Sequence, residues 1–236
     1  MTYNQQYIRQ LDTFDYSLSS NDFDLEHWIE QSGISPLQGG RGGSLKIEIL
    51  QQPLVLHRYL RGGMMAGVLR DRYLWSGLSR TRPFMEQQVV QHAVRMALPV
   101  PEMLGFYVQR QGLFYRAASI SRFIQNQGSL AEYIASKALA KKHWKKLGEL
   151  VKKMHQAKIC HVDLNANNIL IDENEAFHLI DFDKATIEAN GDDWKVSNLN
   201  RLKRSLLKIQ SLLQQQGKSF NFSELDWSSF NEGYQA

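Results

Sequence analysis

The residues best equipped for chemistry lie in two short polar stretches of the second half of the chain. The first is His161-Val162-Asp163-Leu164-Asn165-Ala166-Asn167-Asn168, too polar for a core element; the second is Asp181-Phe182-Asp183. Between them, Ile169 to Asp172 and Phe177 to Asp181 read as two short strands of a hairpin. Phosphoryl transfer asks a protein for three things: metal held on the phosphates, an aligned acceptor hydroxyl, and positive charge around the transferring group. Mg²⁺ prefers carboxylate and amide oxygens and takes only one or two from the protein, and these stretches offer both types. Zinc chemistry fits poorly, because His155, His161 and His178 lack the spacing of a zinc cluster.

The spacing His161-x-Asp163-Leu164-x-x-x-Asn168 matches the catalytic loop of protein kinases at three anchor residues, and Asp181-Phe182-Asp183 stands where their Asp-Phe-Gly follows. Either motif alone could be a capped turn or a surface ion pair. Together, in order and on either side of a hairpin, they specify a phosphotransferase loop.

The elements that must position this loop can be read around it. Lys141 to His155 form an amphipathic helix with Trp144, Leu147, Val151 and Met154 on one face. Lys142, Lys145, Lys146, Lys152 and Lys153 take the other. A later helix places Leu199, Leu202, Leu206 and Leu213 together and turns Arg201, Arg204 and Lys208 away. Upstream, the first thirty-five residues read as a packed leader. Leu45 to Ile49 and Leu54 to Leu60 read as strands; Pro83 opens a helix running to Ala97, and two strands turn at Gln111-Gly112 between Gly105 and Phe123. Strands first and helices after predict an α+β chain of two lobes, residues 1–125 and 126–236, joined near Phe123 to Ser129.

Composition sets the wider frame. At 236 residues, 43% hydrophobic and 22% charged, the chain can bury a substantial core. No apolar run is long enough to span a bilayer, and Met1 to Ser20 lack the form of a secretory signal. The single cysteine, Cys160, predicts a reducing compartment and reads as a small buried hydrophobe. Cytosol is the expected location. The net charge of +4 is uneven: Asp12 to Glu30 are acidic, whereas Arg41, Lys46, Arg58, Arg61, Arg70, Arg72, Arg80 and Arg82 are basic. Such a stretch faces an anion or is merely solvated, and charge alone does not decide between them. No recognised nucleic-acid module accompanies it, so no nucleic acid is expected, and no protein partner is indicated.

With these residues in hand, the chain closely resembles the bacterial lipopolysaccharide sugar kinases of protein-kinase-like fold, specifically those acting on 3-deoxy-D-manno-octulosonic acid (Kdo). Beyond the loop, the likeness rests on Gly40-Arg41-Gly42-Gly43, Val55 to Gly63, Tyr73 to Gly77, Thr81 to Phe84, Leu98 to Pro101 and Asn198 to Leu206. It implies a bilobal fold with a strand-rich N-terminal lobe and a helical C-terminal lobe truncated relative to protein kinases. It implies ATP and Mg²⁺ as cofactors, Asp163 as the base for the sugar hydroxyl, and Asn168 and Asp181 as metal ligands. Gly40, Gly42 and Gly43 would cover the phosphates, since glycine lets backbone N–H groups approach, and Glu86 would pair the nucleotide-binding basic residue. The sequence departs from the protein-kinase pattern there: Arg58 is chosen because it can pair with Glu86, with His57 and Lys46 left open. Asp183 in place of glycine is a second departure, read as an added contact to metal or substrate, and His161 is read as a brace for backbone.

A protein acceptor is disfavoured, because no proline follows Pro101 and so no Ala-Pro-Glu segment can close an activation loop. The implied acceptor is a Kdo-lipid A precursor, with the 4-hydroxyl as its implied target; its carboxylate and phosphates suit the arginines between Arg58 and Arg82. A kinase for another sugar such as heptose, or a silent nucleotide-binding scaffold, is the alternative. A lipid acceptor implies peripheral association with an anionic membrane surface, at the cytoplasmic face of the inner membrane.

Overall fold

The computed structural model describes residues 4–32, 43–61, 71–188 and 191–236. The chain divides into two units. One comprises Met1–Gln88 with Glu102–Phe123, the other Val89–Pro101 with Ile124–Ala236.

The first unit is built on an antiparallel sheet. Strands β1 (Asn4–Gln10), β2 (Ser44–Ile49), β3 (Gln52–Arg58), β4 (Tyr73–Leu74), β5 (Met103–Gln111) and β6 (Phe114–Arg122) pair in the order β1-β5-β6-β3-β2, with β4 on β6. Because side chains alternate along a strand, Leu45, Ile47, Ile49, Leu54 and Leu56 share one face. They pack there with Phe14, Leu18, Phe23 and Leu25 of the leader. The leader is more than packing: its first residues are β1, which joins the sheet beside β5 with Tyr7 opposite Val108. Helix α1 (Leu25–Ser32) completes it. On the opposite face Phe84 of helix α2 (Arg82–Arg95) meets Phe106 edge-on at 6.2 Å.

The second unit is mostly helical. It contains α3 (Leu130–Ser136), α4 (Lys141–Gln156), α5 (Asp193–Gln215) and α6 (Glu224–Gln235), with short pairs β7 (Ile159–Cys160) on β10 (Thr186–Ile187) and β8 (Ile169–Ile171) on β9 (Phe177–Leu179). Ser129 and Ser223 begin α3 and α6 with capping boxes closed by Glu132 and Asp226. The expected apolar face of α4 is buried, Trp144, Leu147, Val151 and Met154 being fully covered.

Helices α4 and α6 cross on two glycines. A Cβ at Gly148 would stand 2.0 Å from the Phe230 carbonyl oxygen, and one at Gly233 would stand 2.0 Å from that of Lys145. Backbone cannot yield as a flexible side chain would. We therefore expect Gly148→Ala to cost about 3 kcal/mol, a fall in Tm of roughly 6–12 °C. A thermal melt that leaves Tm in place would show that the helices can part without penalty.

Candidate active site

The loop between β7 and β8 is fixed by its own side chains. Leu164 N–H donates to the His161 carbonyl at 3.0 Å, turning the chain straight after Asp163. The Nδ2 groups of Asn165 and Asn168 both donate to the Asp163 carbonyl, at 2.8 and 3.0 Å, while Asn165 Oδ1 accepts from Asn167 N–H at 2.9 Å. Two of the polar side chains that make the stretch unfit for a core, Asn165 and Asn168, thus hold the backbone that carries Asp163.

His161 anchors the loop from below. It is buried, and its Nε2 lies 2.9 Å from the Ile180 carbonyl oxygen. A carbonyl only accepts, so Nε2 carries the proton and the ring is neutral; burial pushes its pKa below the usual histidine value. Its ring meets the buried ring of Phe182 at 4.8 Å. His161 is a brace between the two motifs.

The β8–β9 hairpin brings the second motif alongside. Ile169 pairs with Leu179, and the ladder continues as Ile180 N–H donates to the Asn168 carbonyl at 3.0 Å. The strand expected to run through Asp181 ends at Leu179, because Asp181 takes the left-handed conformation with φ of 64°. That turn breaks the extended geometry one residue after the backbone bond from Ile180 to Asn168, and the Asp181 side chain is exposed. Asp tolerates this backbone better than most residues.

Asp163 is exposed, and Arg201 of α5 donates to its Oδ1 at 3.3 Å. The helical periodicity sets Arg201 on a basic face with Arg204 and Lys208, and Arg201 is exposed there. Its guanidinium also reaches the loop, as does Asn198, whose Oδ1 accepts from His161 N–H at 3.1 Å. Asn198 Nδ2 also points to Cys160 Sγ at 3.7 Å. Burial raises the Cys160 thiol pKa, so this cysteine is held as a thiol.

In the first unit the expected Arg58–Glu86 pair is not formed. Arg58 donates to Glu26 and to Asp71, each at 2.8 Å, and Asp71 also meets Arg116 at 3.0 Å. Strand parity is the reason. Arg58 follows Leu54 and Leu56 onto the leader face, whereas Val55, His57 and Tyr59 take the face that meets α2. It is Tyr59, buried, whose hydroxyl donates to Glu86. His57 lies edge-on to Tyr59 at 5.1 Å, and Lys46, opposite Val55, sits 4.1 Å above the Phe123 ring. The two candidates left open therefore share the sheet face of Tyr59, and Arg58 does not. Gly40 and Gly42 lie outside the described residues. Gly43 begins the β2–β3 ladder: its carbonyl accepts from Arg58 N–H at 2.6 Å, and a Cβ there would meet the Arg58 carbonyl oxygen at 2.9 Å.

The donor set fits Mg²⁺. Asn168 has committed its Nδ2 to the Asp163 carbonyl, its Oδ1 accepts no hydrogen bond from the described residues, and Asp181 adds an exposed carboxylate one residue beyond the backbone bond to Asn168. One carboxylate and one amide oxygen are the small hard-oxygen set that Mg²⁺ takes when phosphates and water complete its shell. Among the described residues no group of three or more His, Cys, Asp or Glu could hold a metal by itself.

An exposed Asp on a braced loop, followed across a hairpin by a second Asp, in a chain that joins an antiparallel sheet unit to a helical unit, is the pattern of a kinase of protein-kinase-like fold. Comparison with known proteins is more specific. Residues 27–234 match the model of the lipopolysaccharide kinase (Kdo/WaaP) family, and the chain belongs to that family. It is 44% identical over 172 residues to a 3-deoxy-D-manno-octulosonic acid kinase of Xanthomonas axonopodis pv. citri, covering 73% of this chain and 69% of the relative. A protein of the same name from Xanthomonas oryzae pv. oryzae is 43% identical over 173 residues, with the same coverage. Another from Actinobacillus succinogenes is 35% identical over 220 residues, covering 90% of this chain and 89% of the relative.

Proposed function

We propose that this chain transfers the γ-phosphoryl group of ATP to the 4-hydroxyl of Kdo on a lipid A precursor. The observation that supports the reading is the exposed Asp163 carboxylate on a loop braced by Asn165 and Asn168, with Asp181 following across the β8–β9 hairpin. The names of the relatives supply the sugar.

Asp163 accepts the proton of the attacking hydroxyl as that oxygen bonds to phosphorus and the bond from phosphorus to the departing ADP oxygen breaks. Mg²⁺, when bound by Asn168 and Asp181, supplies charge to the phosphate oxygens. Gly40, Gly42, Gly43 and Glu86 are assigned to the nucleotide, with His57 or Lys46 as the basic partner in place of Arg58. The acceptor's carboxylate and phosphates are assigned to arginines of the sheet unit. Arg61 and Arg82 each lie 4.9 Å from the Tyr73 ring, and Arg82 donates to the Tyr73 hydroxyl at 2.7 Å, so two guanidiniums are gathered on one aromatic support.

The acceptor places the protein at the cytoplasmic face of the inner membrane. No helix of the described residues is long and apolar enough to cross a membrane. Of the lysines along α4, Lys141 and Lys145 are engaged by Glu232 at 3.4 and 2.7 Å. Lys142, Lys146, Lys152 and Lys153, with Arg204 and Lys208, are the groups proposed to meet anionic lipid, at about 1 kcal/mol each near the surface.

Two assays test the reading. Purified protein with ATP and Mg²⁺ is expected to phosphorylate a Kdo-bearing lipid A precursor and not the same lipid lacking Kdo. Equal transfer to both, or transfer only to a heptose-bearing lipid, overturns the sugar assignment. Sedimentation with anionic liposomes is expected at low salt and lost at high salt as the charges are screened. Absence of binding at low salt, with or without acceptor lipid, removes the membrane clause.

A further inference from the structure

We infer that Arg201, reaching the loop from helix α5, is the positioning residue for the Asp163 carboxylate. This rests on the kinase reading above and deepens it.

Three side chains of α5 reach three successive points of the loop. Asn198 accepts from His161 N–H at 3.1 Å, Arg201 donates to Asp163 Oδ1 at 3.3 Å, and Ser205 Oγ accepts from Ala166 N–H at 3.0 Å. Residues 198, 201, 202 and 205 follow the i, i+3, i+4, i+7 pattern and so fall in one stripe of a helix. Leu202, within that stripe, is fully buried, as is Leu206. The helix is therefore anchored by its leucines and two neutral hydrogen bonds. The charged member of the stripe is not needed to hold it.

What Arg201 does hold is a torsion. The Asp163 backbone is already fixed by Asn165 and Asn168, which both donate to its carbonyl. The rotation of its exposed carboxylate remains free, and Arg201 settles it by taking Oδ1. Oδ2 has no protein partner among the described residues and is left as the proton acceptor. The pair is half open to water, the two side chains being 46% and 52% exposed. A pair so exposed contributes little to stability, so its geometry serves the reaction. The loop from His161 to Asn168 contains no lysine or arginine; the positive charge beside the reacting groups has to come from elsewhere, and α5 brings it.

The test is a set of Arg201 variants in the full chain, with wild type alongside. Arg201→Ala is expected to lower kcat about 10- to 10²-fold, the scale of a misplaced reacting group, with KM for ATP and acceptor and the melting temperature unchanged. Arg201→Lys, which keeps the charge without the planar fork, is expected to recover part of the loss. Added methylguanidine is expected to raise the rate of Arg201→Ala and not that of wild type. A kcat within about twofold of wild type overturns the inference, as does a loss that follows a lowered Tm and resists both rescues. A wild type that phosphorylates no Kdo acceptor overturns the functional reading itself, which separates the two failures.

Discussion

Asp163→Ala should bind ATP as the wild type does and turn over at least ~10²-fold more slowly, the usual scale for a positioned general base. The two halves of this result have separate physical sources. Removing the carboxylate takes away the group proposed to receive the hydroxyl proton. The backbone around it is unaffected, because Asn165 and Asn168 bond to the Asp163 carbonyl and not to its side chain. Among the described residues the one side-chain partner lost is Arg201, in an exposed pair, so the fold should be indifferent. Asp163→Asn keeps the shape and the contact to Arg201 while abolishing basicity, and it should be nearly as slow. Turnover numbers, nucleotide binding and melting curves for the two variants check this. Near-normal turnover in either would remove Asp163 from the reaction.

Replacing Asp181 should be comparably damaging, and the choice of variant matters. Its backbone has a φ of 64°, so alanine would add strain to the loss of charge. Asn accepts that conformation and removes only the negative charge. Metal assistance is worth several kcal/mol in the transition state, so Asp181→Asn should lose at least ~10²-fold in rate. The Mg²⁺ concentration giving half-maximal rate should rise as well. In Asn168→Ala the same titration should shift, together with some loss of loop rigidity, because the Nδ2 bond to the Asp163 carbonyl goes too. An unchanged Mg²⁺ dependence in both variants would take these residues out of the metal role.

The loop and its hairpin were legible because the order of polar anchors is local: His161 to Asp181 reach one another through short turns and a single two-stranded ladder. Strands β2, β3, β5 and β6 were legible from alternation and turn residues, whereas the two-residue β4 was too short to show a period. Parity, however, has to be counted from a fixed residue. Leu54 and Leu56 are the buried pair, so Arg58 had to follow them to the leader face, and the chain itself carried the means to see that it could not meet Glu86. The pairing of β1 with β5 was not legible, since Asn4–Gln10 is a polar edge strand and its partner lies about a hundred residues on. Two helix starts were visible in principle as the capping patterns at Ser129 to Glu132 and Ser223 to Asp226. Arg201 was missed for a more instructive reason. Apolar periodicity sorts leucines inward and arginines outward, but an exposed arginine can still have an address. Its spacing from Asn198 and Ser205 was the signal. Gly148 was likewise a signal, because a glycine inside an otherwise strong helix costs about 1 kcal/mol and is tolerated where two backbones must approach.

The measurement that bears most directly on the central claim follows one phosphate from donor to acceptor. The protein is incubated with ATP labelled at the γ-position, Mg²⁺ and a Kdo-lipid A precursor, and the product is cleaved and sequenced by mass spectrometry, with Asp163→Asn in parallel. The account predicts a single labelled phosphate on the Kdo residue with wild type and only a trace with the variant. Labelled phosphate released to water with none on the sugar, or equal labelling by the variant, would contradict it.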